Sequence, residues 1–403
     1  MAVFLVSIYP IFDAAVLSLF QTRYAEKLKY VGLANYVALW NDASIWASAG
    51  KSLIYTGVSL ALVIPLSLAL GGAPLGNLFR PVTDADATAL IVAALAAGVG
   101  YFDTAPHYGH GLSERRVGSA LGQVPRDRFV LSTKVGRLLT AQRDVPRVQH
   151  GYVDGLPYVQ RYDYTLDGTL RSLDDSLARL GLDRIDIAYV HDIDVATHGA
   201  DQPARFRQMV DGALPALARR KAEGALAAYG LGVNDVQVCL DTLAAADVDV
   251  ILLAGRYTLA DQTALPALLP RCVERGVAIV AGGPFNSGIL ATGARPADGS
   301  APYFDYAPAS PHVVDRVARI EAVCGEFGVP LRAVALQFPR AHPAVACVLV
   351  GARSAAELAD NLAHARMPIP RAFWEALRAR GLVDEAAPLP GDASAAPALQ
   401  YRL

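Results

Sequence analysis

The sequence predicts an α/β fold, a (β/α)8 TIM barrel preceded by an apolar helical N-terminal segment. From residue 84 onward, short apolar strands alternate with amphipathic helices, the pattern of β/α units on a parallel sheet. With a first strand at or before Gly71, the alternation makes eight units over about 300 residues, and eight such units close most readily into a barrel. No G-x-G-x-x-G turn follows the first strand, which disfavours an open doubly wound sheet.

The elements follow in order. Residues 65–72, ending in "LSLALGG", must supply the first strand, because a barrel missing one strand exposes two edges. "DADATALIVAALAAG" is a helix that starts near Asp84 and stops at Gly98. "GYFDTA" is a strand ending at Asp103, "SERRVGSALG" a helix and "RFVLSTK" the next strand. "LDGTLRSLDDSLARLGL" places Leu170, Leu173, Leu177 and Leu180 on one helical face. "RIDIAYVH" is a strand, "FRQMVDGALPALARRKAEG" a helix, and "ALAAYGLGV", "VDVILLAG", "GVAIVAGG" and "VACVLVG" complete the set of strands. The Ala/Pro-rich stretch "DEAAPLPGDASAAPALQYRL" reads as a loosely ordered extension. The expected organisation is therefore an apolar segment over 1–64, a barrel over 65–383 and a tail over 384–403.

Composition narrows the function. Hydrophobic residues make up 53% of the 403 and mean hydropathy is +0.29, with much of the excess in the first 70 residues. A net charge of −2 without blocks of like charge gives no sign of a nucleic-acid partner. Cys239, Cys272, Cys324 and Cys347 are far apart, match no metal or redox spacing, and read as small buried apolar residues. No metal centre is expected: only His191 with Asp192 or Asp194 approaches a ligand set.

Two apolar runs stand out at the N-terminus. Ala2–Phe20 is long enough to span a bilayer but contains Pro10 and Asp13, whereas Ser52–Gly72 carries no charge. The stretch between them, "YVGLANYVALWNDASIWASAGKSLIYTG", resembles the start of sugar-type ABC transporter permeases over roughly residues 1–70. Nothing downstream continues that resemblance, so no transporter is expected. If residues 65–72 serve the barrel, the second run shortens to about 13 residues, too few to span without distortion. Residues 1–64 stand as a doubtful membrane contact. Arg23, Lys27 and Lys29 between the runs would hold that loop in the cytoplasm and put everything after residue 72 outside it.

Polar residues at strand ends carry the chemistry. Asp103, Lys134 and His191 close three successive strands, and Tyr108 follows in the loop "TAPHYGHG", so a barrel brings all four to one mouth. A tyrosine titrates at about 10 when unperturbed, a nearby ammonium favours tyrosinate, and a carboxylate orients that ammonium. A histidine beside the phenol then hydrogen-bonds a substrate oxygen.

"FDTAPHYGHGLSE", "LSTKVGRLL", "RLGLDRIDIAYVHDID" and "GLGVND" resemble the aldo-keto reductase superfamily, from about Gly71 to about Leu382. Within it they are similar to the bacterial group of L-fucose, D-threo-aldose 1- and pyridoxal 4-dehydrogenases. The resemblance implies a catalytic tetrad of Asp103, Tyr108, Lys134 and His191, with Tyr108 carrying the proton and His191 orienting the substrate. It implies an NAD or NADP cofactor held by Asn234 at the nicotinamide carboxamide and by Gly351, Arg353, Ser354 and Asn361 at the adenosine end. Gly72 and Gly282 also fall at cofactor-facing positions. Two departures matter. Gly282 stands where the family usually stacks an aromatic ring on the nicotinamide, leaving Phe285 as a substitute. Glu357 stands where a second arginine often meets the 2′-phosphate of NADP, and its charge favours NAD. The implied activity is oxidation of an aldose at C1 to the lactone, with a pyridoxal or small-aldehyde oxidoreductase as the alternative. A non-catalytic tethered barrel is the alternative of another class.

Overall fold

The computed structural model describes Ser18 and residues 20–23, 26–41 and 68–392, and the contacts of the chain divide it into two units, Met1–Val58 and Ser59–Leu403.

The larger unit holds eight parallel strands: β1 (Leu68–Gly71), β2 (Tyr101–Asp103), β3 (Val130–Val135), β4 (Ile187–His191), β5 (Ala228–Val233), β6 (Val250–Ala254), β7 (Ala278–Gly282) and β8 (Val345–Gly351). They close into a barrel in chain order, β8 returning to pair with β1 through Val348–Leu68 to Gly351–Gly71. The contested run thus ends as a strand. All four residues of β1 are buried, with neighbours on both sides satisfying the backbone.

Strand alternation explains why these segments read as apolar runs. Ala69, Tyr189, Val250, Leu252, Val280 and Leu349 form one buried cluster within the barrel, while Leu68, Leu70, Ile251, Leu253 and Val348 join the larger core under the helices. Both faces are dry, so both are apolar. The helices keep their expected places. In Leu166–Leu180 the Thr165 hydroxyl caps the start by accepting from Gly168 N, and Gly181 ends it at φ 64°. Leu173 and Leu180 are buried and Leu170 and Leu177 half-buried on its inner face. The helix expected over 206–224 is interrupted by a π-turn at Met209–Ala213.

The N-terminal expectation is corrected where it can be compared. Phe20 does not end an apolar helix. It opens a strand, Phe20–Arg23, paired antiparallel with Glu26–Tyr30, and the rings of Phe20 and Tyr30 meet edge-on at 5.2 Å. Local pairing satisfies these backbone groups without a helix. The "ANYVALWN" segment forms a helix of eight residues, Ala34–Asn41, and Asn35 Nδ2 donates to the carbonyls of Ser18 and Phe20. Most of both apolar runs lies outside the described residues. Among the described residues, no helix is long and apolar enough to cross a membrane.

The tail also differs. Residues 384–392 pack against the barrel, with Ala387 and Leu389 buried and Arg378 donating to the Ala387 carbonyl at 2.6 Å. Residues 393–403 lie outside the described set.

Candidate active site

Asp103 is positioned by its neighbour strand. Gly72 N donates to the Asp103 carbonyl at 2.7 Å, and a Cβ at Gly72 would sit 2.6 Å from Ser113 Oγ. Only glycine fits there, so Gly72 serves the backbone beside the carboxylate. The Tyr108 loop is held similarly. Gly109 takes φ 64°, and a Cβ there would collide with the Gly76 carbonyl oxygen.

Lys134 Nζ donates to Asp103 Oδ2 at 2.6 Å and to the Thr104 carbonyl at 3.0 Å, and it stands 4.4 Å from the centre of the Tyr108 ring. Asp103 Oδ1 accepts from Ser132 Oγ at 2.6 Å, and that oxygen accepts in turn from Tyr101 OH at 3.0 Å. Each carboxylate oxygen thus accepts from a buried donor. Burial pushes the Asp103 carboxyl up, against the pull of Lys134 and Ser132.

Tyr108 lies between His191 and Tyr152, ring centres 6.0 and 6.1 Å away. All four strand-end residues are thus gathered at one mouth. One electrostatic expectation is reversed. The Tyr108 phenol is held well above its usual value, first by burial and then by the charges of Asp103 and Tyr152. Asp103 neutralises much of the ammonium field, and loss of hydration outweighs what remains. His191 is pushed well below its usual value by burial and by the charges of Arg137 and Lys134, so its imidazole is neutral. Its Nε2 lies 3.4 Å from Asp192 Oδ2 and its buried Nδ1 has no partner among the described residues.

Several residues at the mouth were not foreseen. Arg137 pairs with Asp192 and donates to Gln160 Oε1 and Tyr162 OH, each at 3.0 Å. Arg137 and Gln160 belong to a hairpin, Arg137–Ala141 with Tyr158–Tyr162, that follows β3. The only sequence signal was the basic residue closing "LSTKVGR". A second hairpin, Tyr303–Phe304 with Ala307–Pro308, carries Tyr306, whose phenol lies beside the Asn234 side chain and close enough to Tyr108 to raise it. Phe285 is partly buried against the hydrophobic core, and Tyr306 adds a second aromatic group, beside Asn234.

Cofactor candidates sit at strand ends or on the helix after β8. Asn234 follows β5. Gly282 ends β7, where a Cβ would lie 3.1 Å from Leu252 Cδ2, and Gly351 ends β8 against Pro74. Ser354 caps the helix Ala355–Arg366 by accepting from Glu357 N, while Glu357 reaches back to accept from Arg353 N at 2.9 Å. Arg353 Nε and Asn361 Nδ2 are buried donors without partners among the described residues. Orphaned buried donors are rare in folded chains, and a polar ligand such as the adenosine end of a dinucleotide fits them.

The aldo/keto reductase family matches residues 67–380. The chain belongs to this family. It is 42% identical to a pyridoxal 4-dehydrogenase from Microbacterium luteolum, covering 84% of this chain and 98% of that protein. It is 40% identical to a D-threo-aldose 1-dehydrogenase from a Pseudomonas species, covering 80% and 95%. A holo-form aldo-keto reductase from Bacillus halodurans superposes with a TM-score of 0.59 at 25% identity, covering 81% and 94%. The protein is an oxidoreductase of a family that works with nicotinamide cofactors, which removes the non-catalytic alternative. The match begins at residue 67, so the permease resemblance has no support from it.

Proposed function

We propose that the barrel of residues 65–383 oxidises the cyclic form of an aldose, of the L-fucose or D-threo type, at C1 to the lactone. Tyr108 Oη takes the proton of the anomeric hydroxyl as the C1–H bond breaks and the C1–O double bond forms. Lys134, held by Asp103, stabilises the phenolate that precedes this transfer, and neutral His191 donates to the substrate oxygen to set its angle. A bound nicotinamide supplies the hydride acceptor, and Asn234, Arg353, Ser354 and Asn361 would hold it. Glu357 at the start of that helix favours NAD over NADP, since its carboxylate repels a 2′-phosphate. Dependence on a nicotinamide cofactor favours a cytoplasmic enzyme, because the cofactor is found there.

The observation that carries this reading is the Lys134 ammonium, paired to Asp103 on one side and set against the Tyr108 ring on the other. The D-threo-aldose relative supports the sugar. The pyridoxal relative, slightly more similar, supports a second reading, oxidation of pyridoxal or of small aldehydes by the same residues. Following NADH formation at 340 nm with L-fucose, other aldoses and pyridoxal separates the two. The highest kcat/KM on an aldose is expected; turnover of pyridoxal alone reverses the assignment.

A further inference from the structure

His107, next to Tyr108, has no part in the steps above, although it stands among the reacting groups. Its ring centre lies 5.7 Å from that of His191, 6.3 Å from Tyr108 and 5.2 Å from Tyr152. Its Nδ1 is 3.0 Å from Gln160 Oε1. The same oxygen accepts from Arg137 at 3.0 Å. A guanidinium nitrogen only donates, so the Gln160 amide must turn its oxygen, not its nitrogen, toward both groups. Nδ1 therefore carries the hydrogen of His107. The ring is neutral, because burial and the Arg137 charge hold its pKa down to about 2. A neutral imidazole has one N–H, so Nε2 is left with a bare lone pair. No hydrogen bond to Nε2 is formed by the described residues, and the atom is not sealed from solvent.

We propose that His107 is a specificity residue whose Nε2 accepts a hydrogen bond from the substrate hydroxyl adjacent to the oxidised carbon, the C2 hydroxyl of an aldose. The proposal rests on the aldose reading and sharpens it. Gln160 and Arg137 act as positioning residues that fix the tautomer. An alcohol, which always has a hydrogen to give, suits such an acceptor. A phenol ionised at neutral pH, such as that of pyridoxal, would set one lone pair against another. Sugars lacking the C2 hydroxyl would leave Nε2 without its donor.

The test uses the full-length chain with NAD, comparing kcat and KM for the best aldose and for its 2-deoxy counterpart. Wild type is expected to favour the hydroxylated sugar by about 10- to 100-fold in kcat/KM, the size of one polar hydrogen bond lost in a site. His107→Phe should bring the hydroxylated sugar down toward the level of the deoxy sugar, mainly through KM, and lower the deoxy sugar far less. Gln160→Met keeps the histidine but frees the tautomer and should give a smaller loss in the same direction, so it serves if His107→Phe does not fold. Gln160→Glu, which keeps the acceptor, should retain the preference. An equal loss on both sugars, or a wild type blind to the C2 hydroxyl, overturns the proposal while leaving the aldose reading in place. A wild type that oxidises no aldose overturns both.

Discussion

Lys134 and Asp103 face each other at 2.6 Å with side chains 1% and 0% exposed, which makes them the most deeply buried ion pair among the described residues at the mouth of the barrel. Removing one partner strands a charge away from water. Lys134→Met is therefore expected to cost about 3–5 kcal/mol of stability in addition to activity. Denaturant unfolding measures it, and a loss well under 1 kcal/mol would show that the carboxylate finds another partner.

Tyr108→Phe removes one oxygen and keeps the ring against Lys134, His191 and Tyr152. kcat should fall by about 100- to 10,000-fold, the usual worth of a positioned acid or base. Binding of NADH, followed by quenching of tryptophan fluorescence, should be unchanged. Retained turnover would remove Tyr108 from the chemistry.

The raised Tyr108 phenol has opposite consequences for the two directions. As an acid it is already protonated throughout the neutral range, so aldehyde reduction should vary little between about pH 6 and 8. As a base it must first lose that proton, so sugar oxidation should rise with pH and still be rising above neutrality. The raised value places the limb on the alkaline side. Pre-steady-state rates over pH, which isolate the chemical step, test this. An oxidation rate already flat at about pH 7 would mean that bound cofactor and substrate lower the phenol strongly.

Glu357 both closes the cap of its helix and sets a negative charge beside Arg353. Glu357→Gln should lower KM for NADP several-fold while changing KM for NAD little, because only the 2′-phosphate feels the lost charge. The weakened cap should cost about 1 kcal/mol or less. An unchanged NADP constant would place the adenosine phosphate elsewhere.

Arg256 links the hairpin that carries Tyr306 to the site: it donates to Asp305 Oδ2 at 2.8 Å and to the Asn234 carbonyl at 2.6 Å. Asp305 and Tyr306 both sit at positive φ, 50° and 62°, unusual for side chains of this size. Asp305→Ala should loosen the hairpin, raising KM for the cofactor with little loss of global stability, since Asp305 is partly exposed. Unaltered cofactor binding would detach Tyr306 from that role.

Much of the barrel was legible because a strand dry on both faces reads as a largely apolar run, and a charged or imidazole side chain near its end is then conspicuous. Asp103, Lys134 and His191 stand out in "YFD", "VLSTKV" and "IAYVH" for that reason. The hairpin bearing Arg137 and Gln160 was not legible: its Tyr158–Tyr162 strand is largely half-buried and shows no sharp alternation. Tyr306 was hidden for a similar reason, lying in the turn between two strands of two residues each. At the other end, the apolar run before Gly71 suits helix or strand by its local pattern; the need to close the barrel named residues 65–72 as strand, and Leu68–Gly71 pairs with β8 accordingly.

What the amino-acid order alone determined was the count of strands, their sequence around the ring and the identity of the four groups at its mouth, because those depend on local periodicity and on residue type. The protonation of Tyr108, the tautomer of His107 and the company of Arg137 were decided only by the folded chain. Each is a sum of fields and hydrogen bonds from groups far apart in the chain: Arg137 reaches Asp192 across 55 positions, and Asp103 reaches Lys134 across 31. No stretch of sequence contains such a sum. It exists once the strands have closed and water has been excluded from between them.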